Sequence, residues 1–168
     1  PDYFLSWAVL QSPDSSSKAE FIRTRFPKKG VASIEEMMQR YHSKENDYVI
    51  VNDDEKFYGF LLMLKQHAPD IHKVVKNTVK NLKKEDIKSY WSIADFEGGS
   101  LVMSTMTEPS ENTRAILRRF ANVFNQAYTR FLDLQKAEAQ AREAQIEAAL
   151  ERVRASTMAM HHSSDLTS

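Results

Sequence analysis

From Ser110 to about Met160 the chain contains neither glycine nor proline, and no other stretch limits the fold as strongly. It predicts one helix of about 50 residues, roughly 75 Å long at 1.5 Å per residue. An ordinary globular helix has about 11–12 residues, so this one must outrun the domain in which it starts. Glu108-Pro109 closes the segment before it, Ser110 can serve as N-cap, and Glu111 puts negative charge in the first turn. The first half carries Ile116, Leu117, Phe120, Val123, Phe124, Tyr128, Phe131 and Leu132, whereas Lys136 to Arg154 is mostly Ala, Glu, Gln and Arg. The first half is therefore expected to join a core, with Leu117, Phe120, Phe124 and Phe131 anchoring it to a sheet. The second half reads as an exposed rod.

Ahead of that helix, Tyr3 to Gln11 is rich in aromatic and large apolar residues and reads as a strand, followed by a loop from Ser12 to Ser17. Lys18 to Phe26 is expected to be a short helix with Phe21, Ile22 and Phe26 on one side, closed by Pro27. Ser33 and Glu36 have the spacing of a capping box, ahead of a helix carrying Ile34, Met37, Met38 and Tyr41 inward. Tyr48 to Val51 is a short apolar strand. Asp53 and Asp54 can cap a helix bearing Phe57, Phe60, Leu61 and Leu64. Pro69 interrupts that helix, and a second is expected from Asp70 to about Lys84, with Ile71, Val74, Val75, Thr78, Val79 and Leu82 as its apolar stripe. Ser89–Glu97 and Ser100–Thr107 flank Gly98-Gly99, a strong hairpin signal. The predicted class is α+β with an antiparallel sheet, flanking helices and a long C-terminal helix.

Lys+Arg and Asp+Glu are equal at 23 each, so no global charge draws the chain to nucleic acid. No apolar run reaches the ~20 residues of a membrane-spanning helix. With no cysteine, disulfides, thiolate metal sites and cysteine catalysis are excluded. His67, Asp70 and His72 are close in sequence, but Pro69 breaks the i,i+4 geometry that would join two histidines on one face, which favours surface histidines over a metal site. His161-His162 lacks the acidic and Thr-Pro context of a phosphoacceptor box and reads as a polar helix exit. Lys73, Lys76, Lys80, Lys83 and Lys84 form a basic face suited either to an anionic partner or simply to solvent. The Asn52–Glu55 run completes no cyclic-nucleotide signature, and no catalytic arrangement is evident. The chain is read as non-enzymatic, with neither cofactor nor metal. Tyr90, Trp91, Phe96, Met103 and Met106, the large hairpin side chains, should divide between the core and the opposite face of the sheet, and are the candidate ligand-pocket residues.

The sequence RFLDLQKAEAQAREAQIEAALERVRASTMAMH, Arg130 to His161, resembles the linker that follows a GAF-like sensor domain in bacterial multidomain histidine kinases and nucleotide cyclases. Upstream, GGSLVMSTMTEPSENTRAILRRFANVFNQAYTRF is similar to the closing hairpin and last helix of such a domain. The resemblance covers about Gly98 to His161. Before Tyr90 only the order of elements agrees, and the chain opens on a strand where such domains open on a helix. Four strands are legible, fewer than the six of a complete sheet of that kind. The resemblance implies a cytoplasmic regulatory domain over 1–134 and a coiled-coil signalling linker over 135–168. It also implies a homodimer, an output domain further along a longer chain, and a small-molecule ligand of unspecified identity, without nucleic acid or membrane insertion. A structural dimerisation module without ligand, or a small enzyme using the sheet pocket, are the rival readings.

Ile146, Leu150, Val153, Thr157 and Met160 recur at heptad spacing and form the expected dimer seam. Leu117, Phe120, Phe124, Ala127, Phe131 and Leu134 follow a second heptad phase, which continues onto Glu138, Ala141, Gln145, Ala148 and Arg152 and so fails as an apolar seam. The midpoints of Leu117/Phe120 and Leu150/Val153 lie 33 residues apart, three repeats of 11. Winding at about 3.67 residues per turn would keep both stripes on one side, and winding at about 3.5 would part them. The helix is either a passive spacer or a coiled coil with two accessible phases. Single cysteines placed from 138 to 153 are expected to crosslink in two alternative periodic patterns; one invariant pattern would leave only the spacer.

Overall fold

A computed structural model describes residues 2–10 and 20–165, the side chains of 10, 20 and 159–165 excepted. The expected Ser12–Ser17 loop lies outside them. β1 (Tyr3–Leu10) pairs antiparallel with β2 (Glu20–Pro27), from Tyr3↔Pro27 to Leu10↔Glu20. β2 replaces the helix expected over Lys18–Phe26. Its true period is two: Ile22, Thr24 and Phe26 turn inward while Phe21, Arg23 and Arg25 are exposed. A helix would have needed Phe21 and Phe26 on the same side. Phe26 meets Phe4 edge-on at 5.8 Å, and the Thr24 hydroxyl donates to the His67 carbonyl at 2.9 Å.

Gly30, at φ +89, turns the chain into α1 (Ala32–His42). Val31 stands at the N-cap, so the expected Ser33/Glu36 capping box does not form. Ser33 is buried inside the first turn, and Glu36 instead binds Arg40 and Lys56. The Gly30 N–H is met by the Glu35 carboxylate at 2.7 Å. β3 (Asp47–Asp53) leads into α2 (Asp54–His67), where Asp53 holds the N-cap position without a side-chain capping bond. Phe57 and Leu64 are buried as their spacing predicts, and Met63 joins them. Ala68 leaves the helical region at φ −149, and Pro69 opens α3 (Pro69–Val79) at its first turn. α3 stops short of the expected Lys84, leaving Leu82 exposed, and a 3₁₀ turn at Lys84–Asp86 follows. β4 (Lys88–Phe96) and β5 (Gly99–Thr105) make the expected hairpin, with Glu97-Gly98 at its tip, one residue upstream of the expected Gly98-Gly99.

β4 is the middle strand of an antiparallel β3-β4-β5 sheet, and β1-β2 forms a separate sheet. Both contribute to one core, in which Phe26 from β2 joins Ile34 and Met37 from α1, Ile50 from β3, Leu64 from α2 and Ile93 from β4. The fold is thus α+β with two small antiparallel sheets and four helices among the described residues.

α4 (Glu111–Asp165) is the long helix, capped by the Ser110 hydroxyl accepting the Thr113 N–H at 3.2 Å. The chain divides into two compact units, Pro1–Val123 and Phe124–Ser168. In the first, the helix side turned inward carries Arg114, Leu117, Arg118 and Ala121, the last only 3% exposed. Phe120 is exposed in the first unit, so it is not the anchor expected there. Successive helical residues point about 100° apart, and seating Ala121 against the sheet turns Phe120 away. In the second unit every described side chain from Thr129 to Met158 is exposed. No helix among the described residues is long and apolar enough to cross a membrane.

The alternation in β2 sets its two phenylalanines, Phe21 and Phe26, apart. Phe26→Ala should cost about 3–5 kcal/mol, whereas Phe21→Thr should stay within about 0.5 kcal/mol. Urea unfolding checks both, and equal costs would restore the helical reading of this segment.

Candidate functional site

Opposed residues of an antiparallel pair share a face, so the register of β4 assigns each candidate pocket residue. On the core side Trp91 and Ile93 stand opposite Ile50 and Tyr48. Trp91 meets Phe60 edge-on at 4.6 Å and belongs to the core. On the other side Tyr90, Ser92 and Ala94 stand opposite Thr105, Met103 and Leu101. Tyr90 and Met103 therefore share this second face. Phe96 lies half-buried at its hairpin end, opposite Gly99. Met106, beyond β5, packs on the small cluster of Phe57, Val79 and Ile87. The five candidates thus fall into separate surroundings rather than around one point.

The second face is closed over Ser92 and Ala94, each 1% exposed. Asp47, paired with Ala94, shares that face, and its carboxylate accepts from Arg114 at 3.1 Å and from Arg118. Glu111 binds the same two guanidiniums, at 3.4 and 2.7 Å. This four-residue clamp seats the first turns of α4 on the sheet. Sequence reading missed it. Arg114 and Arg118 are a visible i,i+4 pair, but nothing marks Asp47, 67 residues before Arg114, as their partner.

On the core side a second polar cluster lies between α1 and the sheet. Glu36 binds Arg40 at 2.8 Å and Lys56 at 2.9 Å, and Arg40 also reaches Glu45 at 3.0 Å while its guanidinium stands 5.2 Å from the Tyr48 ring centroid. Burial alone would raise the Glu36 pKa, but Lys56 and Arg40 together hold it below the usual carboxylate range. Tyr48 donates to the Met37 carbonyl at 3.1 Å, and burial followed by the nearby Asp95 charge pushes its phenol pKa well up. Asp95 accepts from Ser100 at 2.5 Å; burial raises its pKa against the opposing pull of the Ser100 and Tyr48 hydroxyls. The two carboxyls are thus driven in opposite directions.

The remaining candidates are simply placed. His67 ends α2, with Asp70 and His72 across the Ala68 break on α3, and the described residues hold no cluster of three or more His, Cys, Asp or Glu able to bind a metal. The lysines Lys73, Lys76, Lys80, Lys83 and Lys84 are exposed, Lys84 engaging Asp54 at 3.5 Å and the Tyr58 ring. Of the expected dimer seam, Ile146, Leu150, Val153 and Thr157 are exposed, and the Thr157 hydroxyl donates back to the Val153 carbonyl. The Met160, His161 and His162 side chains lie outside the described residues, although the backbone stays helical to Asp165.

These features define an α+β unit that ends in an ion-clamped helix continuing into a second unit. Comparison with family models, curated proteins and solved structures finds no match.

The raised Asp95 pKa means that the folded chain favours the neutral carboxyl, so this group's contribution to stability falls as pH rises from the ordinary carboxylate range through the raised value. Asp95→Asn should therefore raise the melting temperature relative to wild type at pH 7, and the gain should vanish near pH 3. A gain independent of pH would contradict the assignment.

Proposed function

We propose that this chain is a non-catalytic regulatory input domain of a cytoplasmic bacterial signalling protein, GAF-like in kind, working as a homodimer and relaying its state through α4 to an output domain in the same longer chain. The observation that carries this reading is the continuity of α4. Its first turns are held to the β3-β4-β5 sheet by Asp47, and the same helix runs unbroken to Asp165. A change in the sheet that shifts the clamp would thereby act on a helix that continues to Asp165. The resemblance of Gly98–His161 to sensor-domain linkers supports the same role. Tyr90 and Met103, on the sheet face that the clamp closes, are the pocket residues this reading favours.

A structural dimerisation module without ligand is the second reading. It is favoured by Trp91 and Met106, both of which are engaged in packing. Thermal-shift screening of small molecules, with crosslinking of single cysteines in 138–153 as second readout, separates the two. Sensing predicts compounds that stabilise the wild-type chain, lose their effect in Tyr90→Ala and Met103→Ala, and change the crosslinking pattern. In Asp47→Ala such compounds should still stabilise but no longer change the pattern. Stabilisation indifferent to Tyr90 and Met103, or crosslinks indifferent to every compound, would favour the structural module.

A further inference from the structure

We infer that the outward face of the β1-β2 ribbon rests on an anionic lipid surface, its apolar row against the interface and its arginines on the headgroups. The ribbon lies wholly in the first unit, and the inference uses no residue of α4 and stands apart from the relay reading. Phe4, Ala8 and Ile22 pack on the core and Phe26 belongs to it, which accounts for the inward face. On the other face the register sets Leu5, Trp7 and Val9 opposite Arg25, Arg23 and Phe21. There Phe21 is 73% exposed, Trp7 59% and Val9 55%. Tyr3, half-exposed and 6.4 Å from His67 between ring centroids, bounds the face at one end. Isolated apolar residues are commonplace on a protein surface. These neighbours instead form one patch of roughly 400 Å², a size at which such patches are often functional.

The arrangement of charge identifies the occupant. The β1 row is entirely apolar, whereas the β2 row places Arg23 and Arg25 between Phe21 and Pro27. Both arginines are exposed, and neither has an acidic partner among the described residues. Lys28 and Lys29 extend the cationic row beyond Pro27, where the Lys28 N–H donates to the Asp2 carbonyl at 2.9 Å. A lipid interface presents the complementary pairing, anionic headgroups over acyl chains. Trp and Tyr favour that boundary because each ring is apolar with a polar atom at its edge. Arginine keeps its guanidinium among the headgroups while its stem covers apolar surface.

Leu5 and Val9 decide against a nucleic-acid strand, whose bases stack on aromatic rings but gain little from aliphatic side chains. A second copy of the same face would bring further cations and no acid to meet them. The ribbon backbone stays at headgroup depth, since hydrocarbon could not satisfy the N–H and C=O groups of a strand edge. The face therefore adsorbs without crossing, and no helix among the described residues is long and apolar enough to cross.

The chain has two tryptophans, and Trp91 is 5% exposed in the core, so a change in emission on binding reports Trp7. The full chain is mixed with phosphatidylcholine vesicles, with or without about one-third phosphatidylserine, at ~0.15 M salt. Co-sedimentation with the anionic vesicles is expected, together with a blue shift of emission that disappears in Trp7→Phe although binding persists. Arg23→Gln and Arg25→Gln together should weaken the partition about 25-fold, at about fivefold per cation. Phe21→Thr should weaken it about tenfold. An unchanged urea midpoint shows each variant to be folded. Equal partition on both vesicle types, partition indifferent to the arginine pair, or an emission shift absent from wild type or surviving Trp7→Phe would each overturn the assignment. So would a wild-type chain that binds neither vesicle, and one retained by a single-stranded RNA oligonucleotide without binding vesicles would give the face to nucleic acid instead.

Discussion

One carboxylate decides how α4 is rotated. Asp47 sits at the start of β3, partly shielded from water, and two guanidiniums four residues apart on α4 converge on it. An exposed ion pair contributes little because solvent screens it. This one differs in having bidentate-capable arginines, a shared second acid in Glu111, and an Arg114 Nε buried with no hydrogen-bond partner among the described residues. Removing Asp47 would leave a partly buried guanidinium short of acceptors, a cost that hydrophobic packing alone does not impose. The clamp is therefore directional where an apolar contact would tolerate rotation. It selects the Arg114, Leu117, Arg118 and Ala121 side and turns Phe120 out.

The same choice explains why the sheet has two differently built faces. On the core side, Ile50 and Ile93 are fully buried by α1, α2 and the β1-β2 sheet, with large side chains filling the volume. On the second face β4 presents Ser92 and Ala94, both small and almost fully buried, and α4 buries the small Ala121. Small side chains release little apolar surface, so the registration of α4 falls to the ions on Asp47.

These physical reasons also set what could be read in the sequence. The β4-β5 hairpin, the break at Pro69 and the Ser110 cap were legible because each rests on local backbone chemistry: glycines at and beside a tight turn, a missing N–H, a hydroxyl within reach of Thr113. β2 was not, since Phe21, Ile22 and Phe26 fit one side of a helix as readily as Ile22, Thr24 and Phe26 fit one face of a strand. Only pairing with β1 decides between them. The Ser33/Glu36 box failed because Glu36 has stronger partners in Arg40 and Lys56, the latter 20 residues away. Phe120 of α4 was misassigned to the core because amphipathic spacing reports an apolar side without saying what covers it. Tyr90 and Met103 could be paired only once the register of β4 against β5 was known.

A rod anchored by charge at one end and lined with small residues further on is suited to carrying rotation. The apolar phase from Phe120 to Leu134 breaks at Glu138, and the next stripe begins at Ile146. Between them Ala137, Ala139, Ala141 and Ala144 supply low-volume positions on several sides of the helix. Alanine layers allow neighbouring helices to turn without the steric penalty that interlocked Leu or Phe would impose. In the proposed relay role, this order would let the alanine stretch take up a rotation in more than one phase and the downstream stripe read the phase that results.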